Sequence, residues 1–307
     1  MTDLFEALKS QSGGSELLKQ AMENVTASSE GNDDEKNYWR PAVDKAGNGM
    51  ATFRFLPAPG VDGAGALPWA KIWSHGFQGP GGQWLVTNCL TTPGHTKGNK
   101  CPVCEHNAIL WNSGIKANRD IVSKQKRKLH YVSNVYVISD PKNPENEGRV
   151  VLFKYGVKIF DKIQEALKPQ FPDEPEINAF DLWKGANFKL KIRKVEGYAN
   201  YDKSEFDTPG PLLNDDGKLK AIWQSEFSLK EVVSDDKFIS FEETQKRLNL
   251  VLGLNNDEPV LRQVSETVRQ DSEYVREPRT VESVQSKTTT NDETDYFASL
   301  RELADED

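Results

Sequence analysis

The chain has 307 residues, of which 36% are hydrophobic and 28% are charged, and its formal net charge is −8. This length suits one sizeable core, or two modest ones, with additional tails, and the composition is typical of a soluble globular protein. No apolar run approaches the roughly 20 residues that span a bilayer, and the N-terminus lacks the basic and apolar stretches of a signal peptide. We therefore expect a cytoplasmic protein without a membrane partner.

The acidic excess is concentrated at the two ends of the chain. Residues 1–40 contain four basic and eight acidic residues, and residues 255–307 contain six basic and fourteen acidic residues. The middle of the chain is mildly basic, and within it residues 115–163 contain eleven basic but only five acidic residues. A local basic concentration of this kind indicates either an ordinary solvated face or a surface for a polyanion such as nucleic acid.

Composition divides the chain into three regions. Residues 1–37 hold two short helical patterns and a polar linker, and we interpret them as an N-terminal arm. Residues 38–254 contain aromatic residues throughout, as a folded core does. In residues 255–307 Ser, Thr, Glu and Gln dominate, which predicts a disordered acidic tail. Phe297, Leu300 and Leu303 recur at helical spacing near its end, so the tail could fold into a groove of a partner protein.

The middle region predicts a mainly β (α+β) fold, in the form of a small barrel with insertions and peripheral helices. Apolar residues on one face of residues 157–167 predict a helix. A second helix is predicted over 240–252, where Ser240 and Glu243 form a capping box. The predicted strands are 51–55, 72–77, 83–86, 131–138, 149–155 and 187–193.

Three cysteines provide the strongest chemical signal in the sequence. Cys101 and Cys104 form a C-x-x-C motif, whose tight turn directs two sulfur atoms towards one point. Cys89 is the natural third ligand of a tetrahedral zinc ion, and a histidine would complete the set. His75, in a predicted strand, is favoured over His95, in a loop, but both remain candidates for the fourth ligand.

Other interpretations of the cysteines are weaker. A redox pair is expected in a βαβ context without a third thiol nearby. A catalytic zinc needs an open coordination position and a general acid or base, and zinc deaminases carry a Glu two residues after the histidine ligand. Here His75 is followed by Gly-Phe and His95 by Thr-Lys. We therefore expect one structural Zn²⁺ and no enzymatic activity, although a zinc-stabilised adaptor protein stays an alternative.

A basic cluster leads directly into an aromatic strand. Lys124-Gln125-Lys126-Arg127-Lys128 precedes a predicted strand that contains Tyr131 and Tyr136. Single-stranded DNA requires this combination, because cations neutralise phosphates while unstacked bases lie on aromatic rings. The alternative is a solvated strand face with tyrosines in the core. No residue that would read a particular base is identifiable, so binding should be independent of sequence.

A second basic strand gives the same indication. Lys189, Lys191 and Arg193 alternate with apolar residues, so they form a row of cations about 6.8 Å apart on one face. Tyr198 and Tyr201 follow closely. As before, a solvated face with core tyrosines is the alternative to a DNA surface.

Several motifs, in register, resemble the T-even-type bacteriophage single-stranded DNA-binding (helix-destabilising) protein family over residues 40–253. They are His75-Gly76-Phe77, Cys101-Pro102-Val103-Cys104, Lys126-Arg127-Lys128, Asp140-Pro141, Pro144-Glu145-Asn146-Glu147-Gly148, Lys158-Ile159-Phe160-Asp161-Lys162-Ile163, Gly185-Ala186-Asn187-Phe188 and Asn200-Tyr201-Asp202. The chain departs from the family at Val132, where the family has a tryptophan. It also has only Lys9-Ser10 in place of the family's basic N-terminal run.

This resemblance implies an oligonucleotide-binding (OB) fold barrel with an inserted zinc subdomain at about residues 70–125. It implies roles in replication, recombination and repair, with cooperative head-to-tail self-association through the arm and recruitment of replication and recombination proteins by the tail. The implied zinc ligands are His75, Cys89, Cys101 and Cys104. The implied DNA contacts are Arg54, Trp84, Lys126, Arg127, Lys128, Tyr131, Tyr198 and Tyr201.

Overall fold

The computed structural model of the protein describes residues 37–254. The tail predicted at 255–307, and all but the last residue of the arm predicted at 1–37, lie outside the described residues. Within this range nine strands belong to one hydrogen-bonded sheet and five α-helices accompany it. The predicted sheet-dominated α+β class is therefore confirmed. None of the helices in this part of the chain has the length and apolar character that crossing a bilayer demands.

The elements follow the chain in this order. The strands are β1 (Tyr38–Trp39), β2 (Gly49–Phe55), β3 (Ala70–Gln78), β4 (Trp84–Asn88), β5 (Lys128–Ser139), β6 (Val150–Gly156), β7 (Phe188–Val195), β8 (Tyr198–Asn200) and β9 (Glu205–Phe206). The helices are α1 (Pro102–Asn112), α2 (Lys116–Gln125), α3 (Val157–Leu167), α4 (Asp216–Gln224) and α5 (Phe241–Leu252).

Strand β5 organises the sheet because three other strands pair with it. Its whole central part pairs with β6, from His130 opposite Gly156 to Tyr136 opposite Val150. Along its other edge, the first half pairs with β3 and the second half pairs with β2. Strand β4 then extends the sheet beyond β3, and β7 extends it beyond β2. One long strand thus connects a β3–β4 region to a β2–β7 region.

The main core lies between this sheet and α3. Aromatic side chains of β2, β6 and β7 contact one another, with Phe53 5.5 Å from Phe188 and 4.9 Å from Phe153 between ring centroids. Helix α3 contributes Ile159, Phe160, Ile163 and Leu167 on one face, as its periodicity predicts. Each fully buried side chain of this size stabilises the fold by about 1.5–3 kcal/mol.

A second apolar cluster joins the β3–β4 hairpin to α5. Phe77 and Leu85 face each other across the hairpin and belong to the same cluster as Leu248 and Val251 of α5. The approach is so close that a Cβ atom at Gly79 would overlap the carbonyl oxygen of Val251, so only glycine fits there. Ser240 caps α5 by accepting a hydrogen bond from the Glu243 amide, as the capping box predicts. Helix α5 therefore buttresses the hairpin from which the site is built.

Candidate metal centre and nucleic-acid interface

Four side chains from separate parts of the sequence converge on one point. His75, Cys89, Cys101 and Cys104 each direct one ligand atom into a group whose atoms lie within 4.8 Å of one another. His75 lies on β3 opposite Thr87 of β4, and Cys89 follows β4 two residues after Thr87. The hairpin therefore places the first two ligands, and the start of α1 places the other two.

The C-x-x-C motif forms the first turn of α1. Cys101 is the residue before the helix, Pro102 occupies its first position, and the Glu105 amide donates to the Cys101 carbonyl at 3.0 Å. Proline suits this position because its missing N–H would have no partner in the helix. The free amides of a first helical turn also favour negative charge on nearby sulfur atoms.

The spacing of the ligand atoms fits a tetrahedral ion. The sulfur atoms of Cys89 and Cys104 are 3.4 Å apart, and Nε2 of His75 lies 3.6 Å from Cys101 Sγ and 3.5 Å from Cys104 Sγ. Ligands of a tetrahedral zinc ion are separated by about 3.5–3.8 Å, given metal–ligand bonds of about 2.0–2.3 Å. The donor set and its geometry therefore suit one Zn²⁺ ion held by four protein ligands.

The electrostatics of the cluster also call for a cation. Hydrogen bonds with Cys101 and Cys104 lower the pKa of Cys89, so this sulfur carries negative charge at neutral pH. Hydrogen bonding to Cys101 and Cys89, together with burial, raises the pKa of Cys104. Burial lowers the pKa of His75, but the adjacent sulfur atoms outweigh it and raise that pKa to about 10. The group cannot hold three thiolates side by side unless a positive ion neutralises them.

A backbone carbonyl orients the histidine ligand. Nδ1 of His75 lies 3.0 Å from the Gln125 carbonyl oxygen, which can only accept a hydrogen bond. Nδ1 therefore donates to this carbonyl, and Nε2, which faces the sulfur atoms, is the nitrogen that can bind a metal once it has lost its proton. Asn107 of α1 donates to the same carbonyl at 3.2 Å. The residue that orients His75 stands directly before the Lys126-Arg127-Lys128 segment.

The structure decides between the histidine candidates. His95 lies outside the cluster, with its ring stacked on Phe238 at 3.9 Å between centroids and its Nδ1 accepting from the Lys97 amide. The group that could hold a metal contains His75 instead. The favoured ligand set is confirmed as a candidate metal group.

The basic segment at 126–128 lies beside this metal group. It links the end of α2 to β5, and Lys128 is opposite Ser74 of β3. The guanidinium carbon of Arg127 lies 3.7 Å from the ring centroid of Trp73, a cation–π contact. Within residues 37–254, no ion pair involves Lys126, Arg127 or Lys128. Their charges are thus available to an external anion.

Trp84 presents an exposed indole on the neighbouring strand. It begins β4, opposite Gln78, and is 64% exposed. Val86, two residues along the same strand and on the same face, is also exposed. Gly76 lies opposite Val86 and has open space where a side chain would stand. This face of the hairpin therefore presents an exposed indole and an exposed valine, with the exposed Gln78 side chain opposite the indole.

Two predicted DNA contacts lie in the interior. Arg54 is 1% exposed and donates to the Asn187 side chain and to the carbonyls of Asp181 and Gly210, so the segments around 181–187 and 210 cover it. Tyr131 is 1% exposed and stacks on Phe160 at 3.8 Å between ring centroids. Both side chains serve the packing of the fold in this structure, and their assignment as DNA contacts stays a prediction.

The row of cations on β7 is present but neutralised. Each cation forms an ion pair with an acidic residue that follows β8; the pairs are Lys189 with Asp207 at 2.8 Å, Lys191 with Glu205 at 2.6 Å and Arg193 with Asp202 at 2.6 Å. These cations lower the pKa of each acid, that of Asp202 to about 2, so the acids are charged at neutral pH. The predicted row of cations is therefore present, each cation is neutralised by an acid, and the role of the row in binding DNA stays a prediction.

The remaining tyrosines differ in exposure. Tyr198 begins β8 and is 80% exposed, whereas Tyr201 is half-buried against the main core.

These residues and the β7 cations belong to the β2–β7 region, where Thr52 of β2 is opposite both Ser139 and Lys189. Ser139 is eleven residues along β5 from Lys128, or about 37 Å of fully extended strand. The predicted contacts therefore form two groups at opposite ends of β5.

Sequence reasoning missed three residues around the metal group. Thr91 lies 3.1 Å from Cys89 Sγ and accepts a hydrogen bond from Arg127, Trp73 supports the Arg127 guanidinium, and Gln125 orients His75. Only Trp73 had a usable signal, since it precedes His75 by two residues on a predicted strand and must share its face. Thr91 and Gln125 act through tertiary contacts that no spacing reveals.

The sheet and the cluster define an α+β protein with a candidate Cys₃His metal centre next to an unpaired basic segment. The chain belongs to the family described as "gp32 DNA binding protein like", whose family model matches residues 47–252. It is 36% identical over 223 residues to the "Single-stranded DNA-binding protein" of Enterobacteria phage T2 and to that of phage T4, an alignment that covers 72% of this chain and 71% of each relative. A similarly named protein of Enterobacteria phage RB70 is 37% identical over 98 residues, covering 32% of this chain and 77% of the relative. The resemblance to the T-even-type phage family is confirmed.

Proposed function

We propose that this chain is a non-enzymatic protein that binds single-stranded DNA independently of sequence. The observation that carries the proposal is the unpaired Lys126-Arg127-Lys128 segment, which is anchored to the metal group and lies in the same part of the sheet as the exposed Trp84. The names of the phage relatives support it. We assign the protein to viral DNA replication, recombination and repair in the cytoplasm of the host cell.

The three cations neutralise phosphates, and the Trp84 face receives a base. Phosphate binding releases condensed counterions, so affinity depends steeply on salt, whereas stacking on an indole tolerates any base. Phosphate contacts carry no sequence information. The exposed groups of this surface thus combine affinity with low selectivity.

The metal group serves structure in this proposal. The ion we assign is one Zn²⁺, which when bound would join the β3–β4 hairpin to α1 and has no coordination position left for a substrate. His75, oriented by Gln125, and the sulfur atoms of Cys89, Cys101 and Cys104 would hold it. The surrounding apolar cluster is small, so a cross-link at this point adds much of the local stability.

We assign the sheet to an OB-type barrel with the metal subdomain inserted at about residues 70–125. Support comes from β5, since barrels of this class bend a long strand between two partners and β5 pairs with both β3 and β2 along one edge. The arm at 1–37 is assigned to cooperative head-to-tail self-association. The tail at 255–307 is assigned to recruitment of replication and recombination proteins.

We assign β7 to a second DNA surface that opens when its acidic partners are displaced. Replacing Asp202, Glu205 and Asp207 by the corresponding amides should free all three cations. The affinity for a single-stranded oligonucleotide at low salt should then rise by about 10–100-fold, and the salt dependence should steepen by up to about 2 in the logarithmic slope. The anisotropy of a dye-labelled oligonucleotide across a salt series measures both quantities.

The control for this variant carries the same change in net charge at another place. Glu145, Asp173 and Glu174 are exposed acids without ion pairs in the described residues, and amides there should raise the affinity only slightly. An equal effect of the two triple variants would show a general charge effect and would remove β7 from the DNA surface.

The proposed function is tested with the full chain. We expect the purified protein to contain about one zinc per chain by elemental mass spectrometry. Its affinity for labelled oligo-dT should fall with a logarithmic slope of about −0.7 per phosphate contacted, and duplex DNA of the same length should bind more weakly. A salt-independent affinity, or equal binding of duplex and single strand, would contradict the proposal. Binding of an RNA oligonucleotide in parallel establishes the choice between the two nucleic acids.

A further inference from the structure

A short chain of contacts connects a metal-ligating sulfur to one of the free cations. Oγ1 of Thr91 lies 3.1 Å from Cys89 Sγ, and Nη1 of Arg127 donates a hydrogen bond to the same Oγ1 at 2.7 Å. A guanidinium has only donors, so the Thr91 oxygen must accept from Arg127. Its own proton is then free to point at the sulfur, and Thr91 donates to Cys89.

Further contacts fix both ends of this chain. Arg127 lies on the face of Trp73, whose carbonyl accepts from the Cys89 amide at 3.1 Å. The Trp73 amide in turn donates to Oγ1 of Thr92 at 3.4 Å. The loop that carries Cys89 and Thr91 is therefore attached to the same strand that supports the arginine.

The basic segment is attached to the metal group on its other side as well. Gln125 stands two residues before Arg127, and its carbonyl accepts from Nδ1 of His75 at 3.0 Å. Two of the four ligands thus hold the segment, one through the backbone at Gln125 and one through the Thr91 hydroxyl. Outer contacts of this kind orient metal ligands and change the affinity of the site for its metal.

We propose that Thr91 is a positioning residue that couples the metal centre to the DNA surface by holding the Arg127 guanidinium in place. A thiolate bound to the metal accepts the Thr91 proton, which fixes the rotamer in which Oγ1 faces Arg127. An arginine held in this way meets a phosphate without losing side-chain freedom at that moment. This inference rests on the proposed function, because it requires both a bound metal and a bound strand.

Coupling of this kind acts in both directions. If the metal centre orders Arg127 for a phosphate, then a strand bound at Arg127 must strengthen the hold on the metal by the same factor. The rate at which a chelator removes the metal in the absence of DNA reports on the same contacts and gives a readout separate from DNA affinity.

The test uses the full chain loaded with Co²⁺, whose thiolate-to-metal absorption reports on the sulfur ligands. In Thr91→Val, which has the same shape but no hydroxyl, we expect this absorption to shift and release to a chelator to accelerate by about tenfold or more. The affinity for oligo-dT at about 0.1 M salt should fall about fivefold, with the salt slope smaller by about 0.7, as for one lost phosphate contact. Thr91→Ser, which keeps the hydroxyl, should restore all of these values.

Two further variants separate coupling from a general loss of packing. Thr96→Val removes a hydroxyl of the same loop that bonds to Asp235 and not to a metal ligand, so it should match the parent protein in Co²⁺ absorption, metal release and DNA affinity.

Arg127→Met should lose the phosphate contact and also speed metal release, and adding Thr91→Val to it should weaken DNA binding no further. If Thr91→Val matches the parent in absorption and affinity, or if its effect adds fully to that of Arg127→Met, the coupling does not exist. A parent protein without metal or without DNA binding would instead contradict the proposed function itself.

Discussion

Serine at both Cys101 and Cys104 is expected to abolish metal binding and to unfold the region around the β3–β4 hairpin. Two of the four ligands are lost, and structural zinc contributes about 10–16 kcal/mol of apparent binding free energy in small domains. Cys101 also belongs to the apolar cluster that α5 covers, so its loss exposes that cluster. Elemental analysis should find almost no zinc, and hydrogen exchange should show lost protection in β3, β4 and α1 before the main core is affected.

Val103 supplies the matched control for the cysteine pair. It lies between the two cysteines, is fully buried and belongs to the same cluster. Val103→Ala removes packing but no ligand, so it should keep the zinc and lose only about 1–3 kcal/mol of the free energy of unfolding. A double cysteine variant that still held one zinc tightly would mean that the ligands are assigned wrongly.

Glutamine at Lys126, Arg127 and Lys128 is expected to weaken DNA binding by about 100-fold at about 0.1 M salt. Each lost phosphate contact lowers the logarithmic salt slope by about 0.7, which corresponds to about fivefold in affinity at this salt concentration. None of the three residues forms an ion pair in the described part of the chain, and only the contacts of Arg127 with Trp73 and Thr91 are lost, so the free energy of unfolding should fall by no more than about 1–2 kcal/mol. The anisotropy titration and thermal unfolding measure the two effects separately.

The control for the basic segment removes three lysines elsewhere. Lys218 and Lys220 lie on α4 and Lys246 on α5, and glutamine at these positions changes the net charge by the same amount. Their replacement should alter the affinity by less than about threefold, because charges that do not contact the DNA are screened by salt. If both triple variants lost affinity equally, the 126–128 segment would not be a specific contact surface.

The sequence predicted the elements whose pattern comes from one buried face. The alternation in β2 and β7 and the apolar stripe of α3 appear in the structure because each element packs against a single core. Helices α1, α2 and α4 were missed. Helix α2 buries only Val122 and Gln125, so it has no apolar stripe to detect, and the face that α1 buries includes the polar residues His106 and Asn107. Hydrophobic periodicity does not detect such helices.

The metal group was predictable because cysteine and histidine are metal ligands and because the C-x-x-C spacing brings two of them together. The DNA surface was harder to predict. Alternation of apolar and polar residues shows which face of a strand a side chain lies on, but it does not show which other segments cover that face. Arg54 lies on the opposite face of β2 from Phe53, where the 181–187 segment covers it. In contrast, the pairing of β7 with Asp202, Glu205 and Asp207 follows from a hairpin that returns the chain alongside the strand. The sequence contained a signal for this hairpin, because acidic residues that closely follow a basic strand predict ion pairs across two neighbouring strands.

The unequal exposure of the tryptophans gives the protein an internal optical reporter. All seven tryptophans lie within the described residues, and Trp84 alone among them is exposed. Trp39 and Trp69 are enclosed by the main core, and Trp73 is shielded by the Arg127 guanidinium. An ionic quencher such as iodide will therefore extinguish the emission of Trp84 first. That red-shifted component reports what covers the β4 face, while the blue emission that survives the quencher reports the integrity of the interior.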